Sequence, residues 1–163
     1  FLIDCFASLC EMAKPLGLTI DLEYLTWYNV STFKEAADIV RAAGCDNGGI
    51  LIDTLHFDRS RTQLDELDEV PPDWFHFAQL SDAPAEIPDT VEGLIQTARG
   101  ERLYLGEGGI DVAAILQRLP EIPYSLEIPN FKRAQELGYA ELARQCLQTA
   151  KNCLEQHSRG NCS

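Results

Sequence analysis

The chain has 163 residues, 45% of them hydrophobic, and 26 acidic against 13 basic side chains give it a formal charge of −13. That length suits one core of ordinary size. The acidic balance argues against nucleic-acid or anionic-membrane binding, both of which use clustered Lys and Arg, and no apolar stretch approaches the ~20 residues of a bilayer span.

Leu2, Phe6, Leu9 and Met12, with Ala13, recur at three- and four-residue spacing and predict a helix over 1–15, stopped by Pro15 and Gly17. Asp4 and Glu11 inside this segment, with no basic flank, exclude a signal peptide. Residues 18–24 alternate as a strand, with Thr19, Asp21 and Glu23 on one side. Ser31 caps a helix running to Ala43, from which Glu35 lies one residue too far for a capping box, and Gly44 ends it. GGILID (48–53) is a strand apolar on both faces, as in a covered parallel sheet. Residues 58–69 hold a short helical piece at most, and WFHFAQL (74–80) is a third strand. A long loop covers 81–109. Asp111 to Leu119 is a short helix, PYSLEI (123–128) a fourth strand, and Asn130 caps a last helix to about Glu155. Its inner side carries Ala134, Leu137, Leu142, Cys146, Ala150 and Cys153, and the tail HSRGNCS frays. The six cysteines have no metal-type spacing and read as reduced, mostly buried thiols of a cytoplasmic protein, with Cys162 exposed. GEGG (106–109) lacks the Lys and the spacing of a phosphate loop.

Strand and helix alternate, so the sheet is parallel with right-handed crossovers. Glu23, Asp53, Gln79 and Glu127 then stand at the C-terminal ends of four neighbouring strands. All four are oxygen donors, the chemistry a hard divalent cation prefers. Asp21 is odd on this reading: it shares the face of Glu23 and either joins the metal shell or marks a register error of one residue. His76 falls on the opposite face of its strand as a packed histidine.

The segments GLTIDLEYLTW, ILIDTLHFDRS, FHFAQLSDAP, RLYLGEGGID and YSLEIPN resemble strands five to eight of a xylose isomerase-like TIM barrel, the superfamily of sugar-phosphate isomerases and epimerases. The resemblance implies an α/β fold of the (β/α)8 type, residues 1–163 forming one partial domain of about four β/α units. It implies Glu23, Asp53, Gln79 and Glu127 as ligands of Mn²⁺ or Mg²⁺, with Glu23 and Glu127 exchanging protons on opposite faces of a small-molecule substrate. It implies that His56 acts close to the substrate and that Arg102 faces the site. Arg59, and less surely Arg61, could hold a substrate carboxylate or phosphate, Glu107 could assist, and Trp27 could wall the pocket.

The function expected is metal-dependent isomerisation or epimerisation of a sugar through an enediolate. The alternatives are dehydration of 3-dehydroshikimate, with which Gln79 and the Asp53–His56 pair are compatible, and an inactive truncated barrel. Two bare strand edges predict a homodimer, or an N-terminal half that completes the barrel.

Overall fold

Four short strands lie in sequence order in a parallel sheet, each followed by helix that packs on the sheet's outer face. The computed structural model describes residues 1–160, with side chains through Glu155. The strands are β1 (Ile20–Glu23), β2 (Gly48–Asp53), β3 (Ala78–Leu80) and β4 (Tyr124–Leu126). Their order is β1-β2-β3-β4, and all three pairings are parallel. The register sets Asp21 beside Gly49, Glu23 beside Leu51, Asp53 beside Gln79 and Gln79 beside Ser125. Side chains of paired residues share a face, so the polar strand ends gather on one side.

The helices are α1 (Leu2–Ala13), α2 (Phe33–Ala43), α3 (Thr54–Arg59), α4 (Val91–Gly100), α5 (Val112–Arg118), α6 (Phe131–Leu137) and α7 (Tyr139–Gly160). Ile50 and Ile52 of β2 are fully buried in a cluster with Phe33, Val40, Leu55 and Leu80. β2 is buried along its whole length, which explains its double-sided apolar pattern.

Several expectations are corrected. In α1 the buried stripe is Phe6, Cys10 and Ala13, while Leu2, Leu9 and Met12 are exposed. The small side chains let the helix come close to β2, where a Cβ on Gly48 would meet Phe6 at 2.9 Å. The cap of α2 is Thr32, not Ser31. Its hydroxyl accepts from the Glu35 amide, and the Glu35 carboxylate accepts from the Thr32 amide at 3.1 Å, so the capping box is complete. Residues 54–59 form α3, earlier than the charged stretch suggested, and Leu64–Glu69 is a 3-10 turn.

The third strand is shorter than WFHFAQL, because Pro71 and Pro72 lead into a 3-10 turn at Pro72–Trp74. Phe75 is buried and stacks on Phe33 with centroids 6.4 Å apart. The expected loop 81–109 contains α4, capped by Thr90, whose hydroxyl accepts from the Gly93 amide at 3.1 Å. The last helix is broken at Gly138, whose φ of 78° and ψ of 155° leave helical space. Of its expected inner residues, Leu142, Cys146 and Ala150 are buried and Leu137 is exposed. Cys10 and Cys146 are buried, Cys5 is exposed, and Cys45 and Cys153 are half-buried. Residues 161–163, with Cys162, lie outside those described. No helix among the described residues is long and apolar enough to cross a membrane.

Gly49 sits where only a missing side chain fits. A Cβ there would collide with the Trp74 carbonyl and the Asp21 carboxylate, and would stand 2.7 Å from the His76 ring. Gly49→Val should therefore cost about 1–3 kcal/mol of stability, measured by urea unfolding. An unchanged midpoint would contradict this packing.

Candidate functional site

Asp53 closes β2 and caps α3. Its Oδ1 accepts from the backbone amides of Leu55 (2.8 Å) and His56 (3.2 Å), which fixes the carboxylate at the strand end. Its Oδ2 accepts from Arg102 Nη1 at 2.6 Å, and both side chains are buried. Arg102 is itself held from several directions. Nε donates to the Ala98 carbonyl at 2.8 Å, Nη1 also donates to Ser81 Oγ at 3.1 Å, and Nη2 lies 3.5 Å from Glu127 Oε2. Ser81 is fixed in turn by Thr54, whose hydroxyl donates to the Ser81 carbonyl at 2.7 Å and accepts from its amide at 2.9 Å.

Glu23, His56, Arg102, Glu127 and Trp27 line one cleft of about 460 Å³, with Tyr28 and Arg99 at its wall. Ligand-type atoms of Glu23, Asp53 and His56 lie within 4.8 Å of one another. His56 Nε2 is 3.8 Å from Glu23 Oε1, and its ring meets Trp27 edge-on at 5.2 Å. Glu127 and Asp53 share the Arg102 guanidinium. Gln79 shares the face of Asp53 by register, and its Oε1 is buried with no hydrogen-bond partner among the described residues. A buried acceptor left unpaired is costly unless a donor or a cation meets it.

Burial, with the charges of Asp53 and Glu127, pushes the Glu23 carboxyl up to about 7, against a smaller opposing pull from Arg102. Burial also raises Glu127, with Arg102 pulling the other way. Burial lowers His56 to about 4, so its imidazole is neutral at pH 7.

Other expected residues lie elsewhere. Arg59 does not line the cleft: its guanidinium pairs with neighbouring Asp58 and donates to the Pro84 carbonyl at 2.8 Å, tying α3 to the chain after β3. Arg61 lines a separate cleft with Leu64 and Ile115. Glu107 pairs with Arg133 at 2.8 Å. Asp21 joins neither the cleft nor a shifted register. It binds His76 Nδ1 at 2.6 Å, two residues below Glu23. His76 can reach it because residues 75–77 are not strand, so strict alternation does not apply.

Two residues had no role assigned in the sequence reading. Asp82 is a buried carboxylate that accepts from the amides of Ala83, Gly106, Gly108 and Ile110 at 2.8–3.1 Å, and so organises the GEGG loop. Gly108 packs against it with no room for a Cβ. Arg99 belongs to α4, the unforeseen helix. Thr90 followed by Val91, Leu94, Ile95 and Ala98 was the available signal, with Gly93 weakening it.

Residues 1–150 match the family model described as xylose isomerase-like TIM barrel. The chain belongs to this family. The inosose isomerase of Bacillus velezensis is 27% identical over 154 residues, covering 93% of this chain and 52% of that protein. The 3-dehydroshikimate dehydratase of Pseudomonas aeruginosa is 32% identical over 134 residues, covering 79% of this chain and 20% of that protein. Among solved structures, the IolI protein with a bound zinc atom superposes with a TM-score of 0.76 at 23% identity, over 96% of this chain and 54% of that one. This member of the family thus spans about half the length of the inosose isomerase it matches.

Two outcomes follow from the geometry. Arg102→Met leaves Asp53 as an uncompensated buried charge and should lower stability by about 3–5 kcal/mol in denaturant unfolding; a loss below 1 kcal/mol would contradict the pairing. The second concerns the metal-free protein. The Glu23 value is raised in the fold from its ordinary 4.5 to about 7, so its stabilising contribution is full below 4.5 and lost as pH rises through 7. His56, lowered from 6.5 to about 4, works in the opposite sense: its contribution is full above 6.5 and lost as pH falls through 4. Comparison with Glu23→Gln isolates the first effect, and wild type should lose stability relative to that variant between pH 4.5 and 7. A pH-independent difference would refute it.

Proposed function

We propose that this site carries out metal-assisted proton transfer next to a carbonyl, as an isomerase or epimerase acting on a polyhydroxy ketone. The observation that carries the reading is the orphaned Gln79 oxygen on the face of Asp53, beside a cleft where Glu23, Asp53 and His56 offer ligand atoms within 4.8 Å. Glu23, Asp53, Gln79 and Glu127 would hold the ion, a hard donor set suited to Mn²⁺ or Mg²⁺, and His56 Nε2 offers a nitrogen that would also suit zinc. When bound, the ion supplies positive charge to the oxyanion that develops on the substrate carbonyl.

The remaining work belongs to the side chains. Glu23 and Glu127, both on the cleft, are the two carboxylates placed to take and return a carbon-bound proton. Deprotonation by one and reprotonation by the other moves or inverts a centre beside the carbonyl. His56, neutral and close to Glu23, is placed to hydrogen-bond a substrate hydroxyl. Arg102 keeps Asp53 and Glu127 at fixed positions through its charge. Trp27 forms part of the cleft wall.

A second reading shares the first step. If the enediolate loses a β-hydroxide instead of regaining a proton, the outcome is dehydration. The 32% identity to a 3-dehydroshikimate dehydratase favours keeping it. We also propose that the site is completed by further β/α units at the open edges of β1 and β4, from additional chain or a second copy.

Metal analysis of the purified protein, followed by a screen of ketoses and 3-dehydroshikimate, tests the reading. One divalent ion per chain is expected, with turnover abolished by EDTA and lowered at least ~100-fold in Glu127→Gln. Turnover that survives both would reject the mechanism.

A further inference from the structure

The oxygen donors at the strand ends are not all held in the same way. Asp53 is fixed by two amides of α3 and by Arg102, and Glu127 reaches the same guanidinium. Glu23 and Gln79 have no such anchor. Among the described residues the Glu23 carboxylate makes no hydrogen bond and only approaches His56 at 3.8 Å, and the Gln79 oxygen is unpartnered. Where these two side chains stand is therefore set by the strands that carry them. Those strands, β1 and β3, are not neighbours, because β2 lies between them.

One layer below the cleft, a bond spans that gap. Asp21 lies two residues before Glu23 in β1, and its Oδ1 accepts from His76 Nδ1 at 2.6 Å. His76 in turn lies three residues before Gln79. The bond passes over β2 at Gly49, the register partner of Asp21. It can do so only because residue 49 has no side chain: a Cβ there would stand 2.7 Å from the His76 ring and would collide with the Asp21 carboxylate and the Trp74 carbonyl. The chain leading into β3 is also held from α2. Phe75 stacks on Phe33, and the Arg41 guanidinium lies 5.7 Å from the centroid of the Trp74 ring.

Stability alone does not call for this arrangement. The Asp21 side chain is 7% exposed, and a well-packed apolar pair of similar volume is often as stable as a buried ion pair or more so. What a directional bond adds is register. An apolar contact tolerates sliding of one segment past another, whereas a single short hydrogen bond does not.

We propose that Asp21 and His76 are positioning residues: their bond across Gly49 sets the spacing of Glu23 and Gln79, so that both can meet one divalent ion. Neither residue lines the cleft, so they act through the two strands. The assignment rests on the metal-assisted reading and goes beyond it, to the part of the fold that places the two donors lacking side-chain partners.

The test measures Mn²⁺ affinity of the full chain from the loss of the free-ion electron paramagnetic resonance signal, with the melting temperature recorded alongside. His76→Phe keeps a ring and removes the bond. It should weaken Mn²⁺ binding about 10-fold or more. Charge works in the opposite direction, since this variant leaves the Asp21 carboxylate unpaired and by attraction alone would strengthen cation binding. Asp21→Asn keeps an oxygen that accepts from Nδ1 and should stay close to wild type. Gly49→Ala pushes the pair apart without removing either member and should weaken binding as His76→Phe does. Unchanged affinity in His76→Phe with a lowered melting temperature would show a role in stability only and overturn the assignment. A loss in Asp21→Asn equal to that in His76→Phe would make charge rather than the bond responsible, and also overturns it. If His76→Phe is not recovered folded, Gly49→Ala decides by the same criterion. Wild-type protein that takes up no Mn²⁺ is a different result: it removes the metal-assisted reading, and the assignment falls with it.

Discussion

Asp53 places a carboxylate where water does not reach, and the buried guanidinium of Arg102 answers it at 2.6 Å. Burial of an ion pair repays its desolvation only when the remaining hydrogen-bonding positions are also filled. Here they are. Asp53 Oδ1 takes two amides of α3, and Arg102 adds Ala98, Ser81 and Glu127. The pair joins β2 and α3 to α4 and the end of β4, so one electrostatic contact holds the strand ends in position around the cleft. Charge elsewhere in the cleft is tuned by the same burial, which raises Glu23 and lowers His56.

A second buried carboxylate shows the same economy at smaller scale. Among the described residues no cation pairs with Asp82, and four backbone amides hold it instead. Amides that converge on a carboxylate act as fixed partial charges. This draws the glycine-bearing loop against the end of β3, and the loop's own Glu107 then reaches α6 through Arg133. The loop that carried little weight as a phosphate site is a structural clamp for the segment that follows Arg102.

Much of this was legible from residue order. Strand–helix alternation gave the parallel sheet, and the polar residue after each apolar run gave Glu23 and Glu127 at one cleft, with Asp53 buried beside them. What failed has local physical causes. Alternation was extended past a proline-led turn, so His76 was set on the wrong face and its pairing with Asp21 was missed. Helix periodicity in α1 placed Leu2, Leu9 and Met12 inward beside Phe6 and Ala13, whereas close approach to β2 buries Phe6 and Ala13 with the small Cys10. Arg59 looked available for a substrate because its partners, Asp58 and the Pro84 carbonyl, are set by tertiary packing. Arg99 was invisible until α4 was seen, since Gly93 masks that helix.

The central claim is that one divalent ion sits among the ends of these four strands. Anomalous diffraction from crystals of the protein grown with Mn²⁺ tests it most directly. The account predicts one strong peak about 2.0–2.4 Å from oxygens of Glu23, Asp53, Gln79 and Glu127. A peak that avoids Gln79 and Asp53, or none at saturating Mn²⁺, would contradict it.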